Sequence, residues 1–218
     1  MVDTDAVGGL RVRKKAQRRL ALHLAAVELF EVDGYNATTV AHIAAKAGVS
    51  PRTFFSYFPT KEAALFAPLD DTVTALEREL STPPAEGDVL TFLRTRVVNI
   101  AANGGPLGPR ASRVLDTLAL DHDNIVGHAL RYMDRIGQAL SLALRTELNS
   151  ADDDPLPDIA AAAAIAALAA SMPVAHHFPH QGMRTASQRQ PSRESVQRDL
   201  DRAIEFVRAG LAATTTNP

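Results

Sequence analysis

Arg52, Thr53, Phe55 and Tyr57 fall within six residues of one another, directly after Ser50 and Pro51. Together they offer a guanidinium, hydroxyls and aromatic edges, which are groups that read the rim of a nucleic-acid groove. A guanidinium can grip a guanine edge through two parallel hydrogen bonds, so Arg52 is the candidate for base readout. A second cluster, His176, His177 and His180, could hold a metal, because two of its members four apart share a helical face. Pro179 interrupts that helix and no carboxylate stands at ligand spacing, so no metal is expected. The chain has no cysteine, which removes thiolate sites and cysteine nucleophiles. HExxH, P-loop and GxSxG motifs are absent, so neither an enzyme nor a cofactor is expected.

The first group needs a rigid mount, and residues 38–58, TTVAHIAAKAGVSPRTFFSYF, read as one. Val40, Ile43, Ala44 and Ala47 follow the i, i+3, i+4, i+7 spacing of a helix with one apolar stripe. Thr38 or Thr39 caps it and can offer a hydroxyl to a phosphate. Gly48 stops it, because glycine takes a left-handed conformation without strain. Ser50 is the next N-cap and Pro51 stands at N1, where a missing N–H costs nothing. Phe54 and Phe58, four apart, can pin this second helix onto the first, leaving Arg52, Thr53, Phe55, Ser56 and Tyr57 outward. Turn and periodicity alone leave an ordinary hairpin in a helical bundle as open as DNA recognition.

The flanks separate these readings. Residues 19–66 contain an apolar helix ending in LF and GY, then TTV..IA..AGVS, then TF..YF.TKE..LF. In these motifs the segment resembles the N-terminal domain of TetR-family transcriptional regulators; the rest of the chain matches only in layout. The resemblance implies that residues 50–57 enter a major groove and that Lys61, like Thr39 and Tyr57, meets phosphates. It also implies that the last two helices pair with those of a second subunit. Phe55 stands where the family very often has tyrosine, so one phosphate-contacting hydroxyl is missing, and His23 occupies a position that is usually aliphatic.

Charge agrees with a head and a body of different purpose. Residues 1–66 hold nine Lys/Arg against six Asp/Glu, and the remainder holds fourteen arginines against nineteen acids. Six of the cations lie between Arg11 and Arg19, and read as an arm that neutralises phosphates or enters the minor groove. Residues 1–10 read as disordered. Beyond the head, a fourth helix runs from Lys61 to Leu80 with a kink at Pro68. A fifth runs from Val89 to about Asn103, and a short sixth carries Val114 to Leu120. Asp123 caps a seventh running to Leu148, and Asn149 to Pro157 is an acidic loop. An alanine-rich eighth covers 158–172, a flexible loop spans about 180–193, and the last helix runs from Val196 to Leu211.

The expected fold is therefore all-α with about nine helices. It comprises a helix-turn-helix domain over 11–66 and a helical ligand-binding and dimerisation domain over 67–214. Phe92, Arg96, Ile100, Asn103, Leu118, His128, Tyr132, Met133 and Ile136 set a few polar anchors among apolar groups, the composition of a small-molecule pocket. A signal-peptide core and a membrane-length apolar run are both missing, so a cytoplasmic location and no membrane partner are expected. The reading is a homodimeric, ligand-responsive repressor that binds a palindromic operator. Its alternatives are a small-molecule or metal sensor whose head does not bind DNA, and an enzyme on a helical bundle.

Overall fold

The structure, a computed structural model, describes residues 4–82, 87–119, 122–170 and 193–215. Ten helices make up its regular structure, with no strand among the described residues. They fall into two compact units: Met1–Asp70 with Leu107–Leu118, and Asp71–Pro106 with Ala119–Pro218.

The first unit opens with α1 (Thr4–Val32), so residues 4–10, expected to be disordered, are helical. Its buried stripe of Leu22, Ala25, Ala26, Val27 and Phe30 follows the expected periodicity. The stripe packs on α2 (Val40–Lys46) and α4 (Lys61–Leu65), and α2 in turn packs on α3 (Pro51–Phe55). Ile43, Ala44, Phe54, Leu65 and Phe66 are fully buried and fill the space among them. The expected single fourth helix is two helices here. The chain leaves helical geometry at Phe66 and resumes as α5 (Ala67–Leu80), which accounts for a count of ten rather than nine. Pro68 lies in the first turn of α5, where its missing N–H is tolerated, whereas inside a continuous helix it would break a backbone bond. A further helix, α7 (Gly108–Ala119), lies largely within this unit, and its Arg110 pairs with Glu31 of α1 at 2.6 Å. The sequence reading had placed it in the second region.

The second unit holds the rest of α5, then α6 (Val89–Ala102), α8 (Asp123–Leu148), α9 (Leu156–Ala170) and α10 (Arg193–Thr215). His122 rather than Asp123 occupies the cap position of α8, and α9 begins at Leu156, so Pro157 is helical and the acidic loop is shorter than expected. Asn149 ends α8 in the left-handed conformation. The alanines of α9 permit close packing: a Cβ added at Gly137 of α8 would lie 3.6 Å from Ile165. Leu200, Ile204 and Val207 of α10 are buried as their spacing requires. The expected loop at 180–193 lies almost wholly outside the described residues, and so does the His176, His177 and His180 cluster.

Polar clamps tie α10 to α6. Arg94 pairs with Asp201, and Arg208 with Asp88 at 2.7 Å. Asp88 also caps α6 by accepting the Thr91 N–H at 2.7 Å. Desolvation raises the Asp88 pKa, but its bonds from Arg208 and Thr91 together outweigh this and leave it below the usual aspartate value. A carboxyl whose folded pKa is depressed contributes stability above its unfolded pKa of about 4, and that contribution is lost as pH falls through the folded value. Asp88→Asn keeps the cap acceptor and removes the charge. It should therefore lower stability at pH 7 by ~0.5–1 kcal/mol, and the difference from the parent should shrink below about pH 4 in acid-unfolding curves.

Candidate nucleic-acid interface

The helix-turn-helix is built from local bonds. Thr39 caps α2, its hydroxyl oxygen accepting the His42 N–H at 3.2 Å. After Ala47 the chain reverses through Gly48 at φ +68°, a conformation that strains any residue with a Cβ. The Val49 N–H returns to the Ala44 carbonyl at 2.9 Å, closing the turn. Ser50 then caps α3, accepting the Thr53 N–H at 3.1 Å, with Pro51 at N1. The two ring-bearing positions expected to pin the helices do so: Phe54 and Phe58 are buried with ring centroids 5.8 Å apart.

What remains of α3 faces away from this core. Ser50, Pro51, Arg52, Phe55 and Ser56 are exposed, Phe55 at 58%, and Thr53 and Tyr57 are half-buried. Thr39, the N-cap of α2, is exposed as well. These residues form a surface with one guanidinium, several hydroxyls and an unusually bare aromatic ring, mounted on short capped helices.

Two candidates belong elsewhere. Thr38 is only 1% exposed and donates its hydroxyl to the Gly34 carbonyl at 2.7 Å, so it closes the turn after α1 and is not offered to a phosphate. Lys61 is also turned inward. Its ammonium donates to the carbonyls of Tyr35 (2.6 Å) and Thr38 (2.9 Å) and lies 3.8 Å from the Tyr35 ring centroid. Desolvation pushes its pKa below the ordinary lysine value, partly countered by neighbouring Glu62. Glu62 is buried, and its Oε1 accepts a hydrogen bond from the Tyr35 hydroxyl. The sequence reading missed this Tyr35, Lys61 and Glu62 cluster as a unit; its signal was the adjacent lysine and glutamate facing a tyrosine at the end of the first helix.

The basic segment differs from expectation in form. It is not a free arm but the N-terminal half of α1, where Arg11, Lys14, Lys15 and Arg18 take i, i+3, i+4 and i+7 positions and are exposed. Arg19 is withdrawn from it by Asp70 at 2.9 Å. Lys46, at the end of α2, pairs with Glu28 at 2.8 Å, and that bond holds the Glu28 pKa below its usual value.

Residues 23–67 match the family described as bacterial regulatory proteins, tetR family. The helix-turn-helix segment therefore matches that family. The chain is also similar to part of the HTH-type transcriptional regulator TcmR of Streptomyces glaucescens. The two are 42% identical over 77 residues, which is 35% of this chain and 34% of that protein. The match thus spans about a third of the relative's length. The TetR-type fold extends over most of the chain. A putative TetR-family regulator from Mesorhizobium loti aligns at TM-score 0.56 and 18% identity over 89% of this chain and 96% of its own. Thermus thermophilus FadR, a TetR-family repressor in complex with lauroyl-CoA, aligns at TM-score 0.52 and 21% identity over 87% and 92%.

The nine residues expected to line a ligand pocket divide between the two units. Leu118 falls in the first unit and the other eight in the second. Within the second unit, Arg96 is engaged by Glu79 at 2.7 Å. Asn103 is exposed and bonds the Asn99 carbonyl of its own helix at 2.8 Å. Tyr132 and Ile136 are buried, while Phe92, Ile100, His128 and Met133 are half-buried. A groove of about 610 Å³ lies in the same unit near the α8–α9 turn, lined by Leu148, Pro155, Leu156, Ile159 and Thr214. No group of three or more possible metal ligands occurs among the described residues, and none of the described helices is long and apolar enough to cross a membrane.

Proposed function

We propose that the chain is a sequence-specific, DNA-binding transcriptional regulator, a ligand-responsive repressor that reads a near-palindromic operator as a homodimer. The observation that carries this reading is the outward face of α3, with exposed Arg52 and Phe55 on a capped and packed mount in a head that matches the TetR family. Two heads related by a two-fold axis would read half-sites about 34 Å apart or a multiple of it. The exposed basic face of α1 would add phosphate contacts. Dimerisation through α9 and α10 is supported by Ile159 and Phe206, 61% and 75% exposed, and by the small side chains of α9. A small-molecule effector held by the second unit, against Tyr132 and Ile136, would bias the head through α5, whose chain continues from one unit into the other. The repressor with lauroyl-CoA is one protein of similar fold that holds a ligand.

Selection of bound duplexes from a random pool by the purified protein tests the reading. Enrichment of a palindrome is the expected result, and no enrichment at both low and moderate salt would overturn it. Arg52→Ala should then relax discrimination at one operator position by ~1–3 kcal/mol while preserving affinity for non-specific DNA. Unchanged ratios between operator and mutant sites would remove Arg52 from base readout.

A further inference from the structure

The break between α4 and α5 leaves a carbonyl to be satisfied. In a continuous helix the N–H of residue 68 would bond the Ala64 oxygen, and Pro68 has no N–H. His23 of α1 supplies the donor instead: its Nδ1 lies 3.0 Å from the Ala64 oxygen, with the residue 4% exposed. Because a carbonyl only accepts, Nδ1 carries the proton. One turn earlier on α1, Arg19 reaches past the break, donating to the Ala67 carbonyl at 3.3 Å and to Asp70 at 2.9 Å, and its guanidinium lies 4.8 Å from the Phe58 ring centroid. Arg19 and His23 are four apart and share one face of α1. Backbone bonds flank the break on both sides, from Phe66 N–H to Glu62 at 3.1 Å and from Asp70 N–H to Phe66 at 2.9 Å.

We propose that Arg19 and His23 form a clasp across this break that fixes the end of α4 and the first turn of α5 to α1, with His23 supplying the donor that Pro68 lacks. In a continuous helix, bending here would break the backbone bond to Ala64. That carbonyl is held from α1 in this chain, by the imidazole of His23. The α4 end is gripped by a buried imidazole. The α5 end is gripped by a partly exposed ion pair, the weaker and salt-screened half of the clasp. An aliphatic residue at position 23 would remove the side-chain donor and leave the Ala64 oxygen only the Phe66 N–H of the helix cap, so His23 and Pro68 are matched and both are positioning residues.

A double-mutant cycle on the full chain, read by thermal midpoint and by amide exchange over residues 66–71, tests this. His23→Leu alone should lower the midpoint by about 4 °C and speed exchange in the first turn of α5 by roughly tenfold. Pro68→Ala restores the N–H, and in that background His23→Leu should cost less than about a third as much. His23→Asn, whose Nδ2 can stand where Nδ1 stood, should retain parental exchange. Asp70→Asn should speed exchange in α5 and leave α4 unchanged. Equal losses from His23→Leu in both backgrounds, or failure of asparagine to restore exchange, would overturn the clasp. These readouts need no DNA, so a parent protein that bound no duplex would count against the proposed role of the head and leave the cycle's result intact.

Discussion

Phe54→Ala is expected to lower stability by ~3–5 kcal/mol and to abolish specific DNA binding with it. Phe54 has no exposed surface, lies 5.8 Å from the Phe58 ring centroid and fills the space between α2 and α3, where removal of a ring leaves a cavity that short capped helices cannot close. Such a loss is a large share of a typical domain stability of ~5–15 kcal/mol. The adjacent Phe55→Ala is the control: at 58% exposure its loss should change stability by no more than about 0.5 kcal/mol while still affecting operator binding. Urea unfolding of both variants separates the two roles. Equal destabilisation by both would mean that α3 is packed on a different face from the one described.

Lys61→Met should cost ~2–3 kcal/mol of stability and leave the salt dependence of DNA binding unchanged. Methionine preserves much of the stem and removes the ammonium, stranding the carbonyls of Tyr35 and Thr38, which accept from Lys61 at 2.6 and 2.9 Å. A lysine whose role was a phosphate contact would behave in the opposite way, with stability unaffected and the slope of log K against log salt reduced by about one. Thermal unfolding and a salt titration, made where the variant is folded, distinguish the two. The outcome matters for the proposed operator footprint, because with Lys61 and Thr38 engaged inside the head, the proposed phosphate contacts would fall to Thr39, Tyr57 and the basic face of α1.

The two domains expected from the sequence met the structure unevenly. The proposal of dimerisation through α9 and α10 rests on exposed Ile159 and Phe206, whose unburied apolar surface stands out only once their own unit is packed. The pocket candidates were chosen for composition, and composition does not record which side chains have partners already. Arg96 is held by Glu79, seventeen residues away, and Asn103 by its own helix.

By itself the sequence determined the helix-turn-helix. Thr39 and Ser50 as caps, Gly48 as the turn, and Ile43, Ala44, Phe54 and Phe58 as the buried face all follow from rules that act over three or four residues. The break at Phe66 was half-legible, since Pro68 announced an interruption but not whether the helix would bend or part. Tertiary structure alone decided the rest: that Lys61 and Thr38 turn inward, that Arg19 leaves the basic run for Asp70, that α7 belongs largely with the head, and that His23 supplies the donor missing at Pro68. The partners in these contacts lie up to 79 residues apart in sequence. A long polar side chain has several partners within reach, and only the packed chain determines which of them it meets.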